Sequence, residues 1–130
     1  MKAWLLVSLP MLVATEYVSY TKGDINLILS VPHNGYERAE HIPIRQPGCK
    51  NSDNLCEFPG ESNCRKKDVC KVVIQGDGYT QQIAKYVTQA FQKLTGRTPH
   101  LIINNLHRSK MDPNREINGA AQGNNEAIAK

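Results

Sequence analysis

The sequence has few features that would place the chain in a membrane or on a nucleic acid. After the first 14 residues, no segment approaches the roughly 20 consecutive apolar residues of a transmembrane helix. The net charge of +4 is modest. The densest basic run, Arg65-Lys66-Lys67, contains no aromatic residue, which favours a solvated loop over a nucleic-acid contact. Repeats, low-complexity segments and Asn-x-Ser/Thr sequons are also absent. We therefore expect neither a membrane span in the mature chain nor a nucleic-acid partner.

The cysteine spacing does not match that of a structural zinc site, because no two cysteines stand in a C-x2-C pair. The four cysteines, Cys49, Cys56, Cys64 and Cys70, lie in a polar insert (residues 45–71) that also contains proline and glycine. We predict two disulfides, with three pairings open. Each would stabilise the fold by about 2–4 kcal/mol and persist only in an oxidising compartment.

The N-terminus has the pattern of a secretory signal peptide. Lys2 is followed by an apolar run, Leu5 to Ala14, that is too short to span a bilayer as a helix. We assign residues 1–19 to the signal peptide, with the cleavage site open. The alternative is that this run is the first strand or helix of the mature fold. With the cysteines, the pattern indicates a secreted, extracellular protein.

The remaining chain, residues 20–130, reads as an α/β arrangement. Nearly continuous apolar runs predict buried strands at Ile25–Val31 and Leu101–Ile103, with a short strand at Val72–Ile74 between them. Tyr36–Lys71 reads as an irregular loop. Two or three short strands cannot close a sheet. We therefore interpret residues 20–130 as an incomplete domain with an open sheet edge.

A helix is predicted before the last of these strands. Asp77 or Thr80 would cap its N-terminus, and Gly96 would take the left-handed position after its end. Its apolar residues recur at helical spacing: Ile83, Val87, Phe91 and Leu94. A second helical segment begins near Asn114.

Two polar loops follow the predicted long strands, where open α/β sheets bind ligands. The first contains His33 and, four residues on, Glu37, which are candidate metal ligands. The second contains Arg108, Asn114 and Arg115, whose side chains suit the recognition of a carboxylate. The competing interpretations are a structural histidine in a turn and a solvated, self-paired charged loop.

Three segments in series resemble the N-formylglutamate amidohydrolase family. They are LSVPHNG (29–35), GDGYT (76–80) and LHRSKMDPNRE (106–116). The similarity in order and rough spacing runs from Asn26 to Glu126. The family belongs to the zinc-dependent exopeptidase group, so the resemblance implies part of a phosphorylase/hydrolase-like α/β sheet. The cysteine insert departs from the bacterial pattern and suggests an animal-type secreted relative.

The resemblance implies a role for each matching residue. His33 would be the first zinc ligand and Glu37 the second, although related exopeptidases place this glutamate three residues after the histidine. Asn114 and Arg115 would hold the carboxylate of a small substrate, with Arg108 assisting.

Asp77 and Asp112 would orient these groups, or would cap a helix and a turn. Zinc would polarise the acyl carbonyl of an N-acyl amino acid or a similar amide and would acidify the attacking water. By the same resemblance, we expect the third zinc ligand and the general base of the family to be missing from residues 20–130. The alternatives are a non-catalytic secreted carboxylate-binding domain and an inactive fragment.

Overall fold

The computed structural model describes residues 17–60 and 64–128. Its strands are β1 (Val18–Thr21), β2 (Ile28–Val31), β3 (Gly48–Lys50), β4 (Cys56–Glu57), β5 (Val69–Cys70) and β6 (His100–Asn104). Its α-helices are α1 (Thr80–Thr95), α2 (Ile117–Ala121) and α3 (Asn125–Ile128), and a 3-10 turn covers Lys66–Asp68. This mixed arrangement confirms the α/β class. The finer assignment to a phosphorylase/hydrolase-like sheet stays a prediction.

The main sheet has the strand order β1-β6-β2. The central strand β6 is parallel to β2, with Leu101 opposite Leu29, and antiparallel to β1. Its continuous apolar run suits a strand with neighbours on both sides. The two predicted long strands are thus paired with each other. Strand β1 was not predicted from the sequence. No strand forms at Val72–Ile74.

Strand β1 lies where the predicted signal peptide ends. Residues 1–16 lie outside the described part of the chain, but Tyr17 is buried and Val18 and Ser19 already pair with β6. Removal of residues 1–19 would therefore take away the first half of β1.

Helix α1 ends as predicted but begins differently. Gly96 adopts a left-handed conformation (φ 69°) and its N–H donates to Gln92 O, as expected of a helix-ending glycine. The N-cap is Tyr79, also left-handed (φ 66°), and it makes no side-chain cap. The prediction of Asp77 or Thr80 as N-cap is wrong, because the Asp77 side chain contacts His33 and Thr80 is the first residue of the helix.

The apolar face predicted for α1 is mostly exposed. The helix packs through Ala84 onto the apolar residues of β2 and β6, whereas Ile83 and Leu94 are 57% and 84% exposed. Phe91 is half-buried. The sheet under α1 is only three strands wide, so most of the apolar stripe has no strand to pack against in the described part of the chain.

The cysteine insert forms a second, small sheet rather than an irregular loop. Strand β3 pairs with β4 and with β5, both antiparallel. The two predicted disulfides are confirmed, and the pairing is Cys49 with Cys64 and Cys56 with Cys70.

The C-terminal helices α2 and α3 cover a second apolar cluster. Leu106 and Ile42 lie at its centre with no exposed surface, and the other members are Tyr17, Ala39, Ala121 and Ala127. The predicted helical tail is confirmed as two short helices, separated by left-handed residues at Gln122 and Gly123. Within residues 17–60 and 64–128, none of the helices has the length and apolar character needed to cross a bilayer.

Candidate functional site

The candidate site forms where two neighbouring parallel strands end at one edge of the main sheet. His33 follows β2 by two residues, and the loop 107–116 follows β6. Asn104 at the end of β6 joins the two loops, since its Nδ2 donates to Pro32 O (2.8 Å) and to Leu106 O (3.0 Å). A single bridge between Glu37 and Leu106 continues the pairing. The sheet therefore brings both predicted loops to one place.

The two loops meet at the carboxylate of Asp112. His33 Nε2 lies 2.6 Å from Asp112 Oδ1, and the backbone N–H of Asn114 donates to the same oxygen over 3.1 Å. The histidine turn and the segment at Asn114 therefore meet at this carboxylate. Asp112, for which the sequence predicted an orienting or capping role, lies at the centre of the contacts between the two loops.

Asp112 is fully buried and surrounded by donors. Arg108 Nε donates to its second oxygen over 2.9 Å, and Arg45 Nη2 lies 3.6 Å from that oxygen. Burial alone would raise the pKa of Asp112, but the hydrogen bonds from Arg108 and His33 and the backbone N–H outweigh it and lower this pKa. Asp112 is therefore an ionised carboxylate that holds two arginines and a histidine.

The other face of His33 points to Asp77. His33 Nδ1 lies 3.0 Å from Asp77 Oδ2, while Arg108 Nη1 is 3.5 Å from Asp77 Oδ1. His33 is 5% exposed, but the Asp77 side chain is 53% exposed. The imidazole thus bridges a buried carboxylate and one that reaches solvent.

Arg45 belongs to this cluster, although its role was not predicted from the sequence. It is 4% exposed and donates to three backbone carbonyls, those of Arg108, Gly119 and Val73. Burial lowers the pKa of Arg45. The positive charges of Arg108 and Arg115 lower this pKa further, whereas the carboxylate of Asp112 raises it. Its position inside the cysteine insert gave no signal, because the contacts it makes are far away in the sequence.

The three residues predicted to bind a carboxylate occupy different environments. Arg108 is buried and committed to Asp112, Asp77 and the Gln75 carbonyl. Asn114 and Arg115 are exposed, and Arg115 Nη1 donates to Asn114 O over 2.7 Å. Only this last pair presents side chains to a ligand in solvent.

The predicted metal pair is not assembled. Glu37 is exposed, and its backbone bonds to Asn105 and His107 along the sheet edge. In the part of the chain that the structure describes, no hydrogen bond or ion pair joins Glu37 to His33, and no group of three or more His, Cys, Asp and Glu side chains could hold a metal ion. Asp77, not Glu37, is the carboxylate beside His33.

Comparisons of the chain with protein-family models, with curated proteins and with solved structures find no match.

Proposed function

We propose that the chain carries part of a metal-dependent amidohydrolase site of the N-formylglutamate amidohydrolase type, acting on an N-acyl amino acid or a similar amide. The observation that supports this best is the 2.6 Å contact between His33 and Asp112. It joins two of the three segments that carry the resemblance, and Asp77, next to His33, belongs to the third.

The environment of His33 is suited to zinc. A metal-bound histidine commonly donates its second ring N–H to a carboxylate, which orients the ring. Asp112 is placed for that role behind His33 Nε2, which leaves Nδ1 and Asp77 Oδ2, 3.0 Å apart, as adjacent ligands. A catalytic zinc normally has three protein ligands, and the described residues supply these two. When bound, zinc would polarise the acyl carbonyl and lower the pKa of a water ligand.

The remaining polar groups would position the substrate. Arg115 is exposed beside the buried Asp112 cluster and would bind the substrate carboxylate, with Asn114 as a second donor. Arg108 would act indirectly, because its donors hold Asp112 and Asp77 in place. In this proposal the carboxylate-binding pair and the metal-binding pair are connected through Asp112.

A zinc titration of the purified, disulfide-intact chain tests the proposal. We expect about one zinc ion per chain by isothermal titration calorimetry, with binding lost in His33→Ala and weakened about 10–100-fold in Asp112→Asn. Asp77→Asn should also weaken binding, whereas Glu37→Gln is the matched control and should not. Absence of zinc binding by the wild-type chain would refute the proposal, and a loss confined to Glu37→Gln would contradict the ligand assignment.

We also propose that the protein is secreted. The two disulfides support this, because such bonds persist in oxidising compartments. N-terminal sequencing of protein recovered from a culture medium tests it. Retention of the whole chain inside cells, with reduced cysteines, would contradict it.

A non-catalytic carboxylate-binding domain is the second candidate. It is favoured by the finding that residues 17–60 and 64–128 contain no group of three metal-ligating side chains. In that case Arg115→Ala would abolish the binding of small carboxylates, chelators would have no effect, and the zinc titration would show no binding.

A further inference from the structure

A cleft of about 320 Å³ lies beside the His33 cluster and has no role in the proposed function. Its walls come from the residues that follow His33, namely Asn34, Tyr36 and Arg38, and from Gln75 and His107. The volume lies within the range of roughly 300–1,000 Å³ typical of small-molecule sites. The cleft is therefore large enough for a small organic ligand.

Two glycines keep the walls of this cleft close together. A Cβ atom at Gly35 would overlap the carbonyl oxygen of Leu106, and one at Gly76 would lie 2.6 Å from His33 O. Any larger residue at either position would push the loops apart. The shape of the cleft is thus fixed by backbone packing.

Arg38 is held in this cleft by a neutral histidine. Arg38 Nη2 lies 3.0 Å from His107 Nε2, and since a guanidinium only donates, the imidazole nitrogen accepts. The other ring nitrogen, Nδ1, lies 2.8 Å from Oγ and 3.2 Å from the backbone N of the buried Ser109, and these contacts fix the ring. One edge of the guanidinium is therefore anchored.

The lining is cationic and partly aromatic. Among the described residues that line the cleft there is no aspartate or glutamate, and Arg38 is the one permanent charge among them. Asn34 and Gln75 add amide groups, and Tyr36 is 67% exposed. An arginine binds a carboxylate through two parallel hydrogen bonds, and an exposed ring provides apolar contact for the body of the ligand.

We propose that this cleft binds a small organic carboxylate, with Arg38 as the recognising cation and His107 as its positioning residue. The site is distinct from the one proposed at Asn114 and Arg115, and it requires no metal. The competing interpretation is a solvated surface arginine, which predicts no saturable binding.

Benzoate is a suitable probe, with benzamide as its neutral control. We expect saturable benzoate binding by NMR titration of the full chain, with shifts at Asn34 and His107, and binding by benzamide at least tenfold weaker. Arg38→Gln should weaken benzoate binding at least tenfold. Lys93→Gln, which removes an exposed cation from the far end of α1, should leave it unchanged.

Two further measurements separate this cleft from the proposed amidohydrolase site. Arg115→Gln and a chelator should both leave benzoate binding intact, even if either abolishes the function proposed above. Equal binding of benzoate and benzamide, or equal loss in the Arg38→Gln and Lys93→Gln variants, would overturn the proposal. Loss of benzoate binding in Arg115→Gln alone would overturn it too, because the anion would then bind at Arg115.

Discussion

Replacement of Asp112 by asparagine should be among the most destabilising single changes in this protein. The side chain is fully buried and compensates two buried guanidinium groups, those of Arg45 and Arg108, whose side chains are 2% and 10% exposed. Asparagine keeps the volume but removes the charge, and its amide group turns a donor towards other donors. Two cations would then share a buried space, with the half-exposed carboxylate of Asp77, 3.5 Å from Arg108, as a counter-charge for one of them.

The expected loss of stability in Asp112→Asn follows from that geometry. Breaking a buried ion pair by removing one partner costs about 3–5 kcal/mol, against a total stability of about 5–15 kcal/mol for a small domain. The free energy of unfolding can be measured by urea denaturation followed by far-UV circular dichroism, with the disulfides intact. Asp53→Asn is the matched control, because Asp53 is exposed and the same substitution there should change stability by less than about 0.5 kcal/mol.

The pH dependence gives a second, independent measurement. The pKa of Asp112 is lowered below its ordinary value of 3.8, so the unfolded carboxyl binds a proton more readily than the folded one. Its contribution to stability is then fully present above about pH 5 and is lost as the pH falls below about 4 towards the folded pKa. The difference between wild type and Asp112→Asn should shrink in that window. Equal stabilities of Asp112→Asn and Asp53→Asn at pH 7 would refute the reasoning.

Three other predictions can be checked with similar assays. Leu106→Ala should lower the free energy of unfolding by about 2–5 kcal/mol because Leu106 has no exposed surface, whereas Leu94→Ala, at an 84% exposed position, should have almost no effect. NMR titration should give His107 a pKa below 6.5, because burial and the charges of nearby cations disfavour its protonation. The contribution of His107 to the free energy of unfolding should therefore be lost as the pH falls through that lowered pKa. Replacing both Cys56 and Cys70 by serine should cost about 2–4 kcal/mol in urea denaturation.

The sequence predicted the features that depend on local pattern. Continuous apolar runs located β2 and β6, and Gly96 located the end of α1, because each signal is contained in a few adjacent residues. The meeting of the two loops was also predictable, since the carboxyl ends of neighbouring parallel strands lie at the same edge of a sheet. His33 and Asp112 were therefore within reach of sequence reasoning.

Contacts between distant segments were not predictable. Arg45 bonds to carbonyls 28, 63 and 74 residues away, and nothing in its neighbourhood distinguishes it from a solvated arginine. The exposure of Ile83 and Leu94 was missed for a related reason. Periodicity identifies an apolar face, but the width of the sheet that receives it depends on strands elsewhere in the chain.

The position of Asp77 is the most informative difference between prediction and structure, because local sequence rules favoured this residue as the N-cap of α1. An aspartate N-cap typically stabilises a helix by about 1 kcal/mol. Here α1 begins without a side-chain cap and with Tyr79 in a left-handed conformation, which costs a residue with a Cβ roughly 1–2 kcal/mol. The carboxylate is instead directed at His33, where it remains half-exposed.

Stability alone does not explain why the Asp77 side chain contacts His33 instead of capping α1, because a half-exposed carboxylate gains only about 0–1 kcal/mol from an ion pair. Departures from local rules are expected mainly at functional or strained positions. The position of Asp77 is consequently an argument, independent of any resemblance, for the ligand role proposed for this carboxylate beside His33. The zinc titration of Asp77→Asn should therefore discriminate more sharply than that of Asp112→Asn. Asp112 holds the cluster together, whereas Asp77 is half-exposed, so that we expect its substitution to have little effect on the fold.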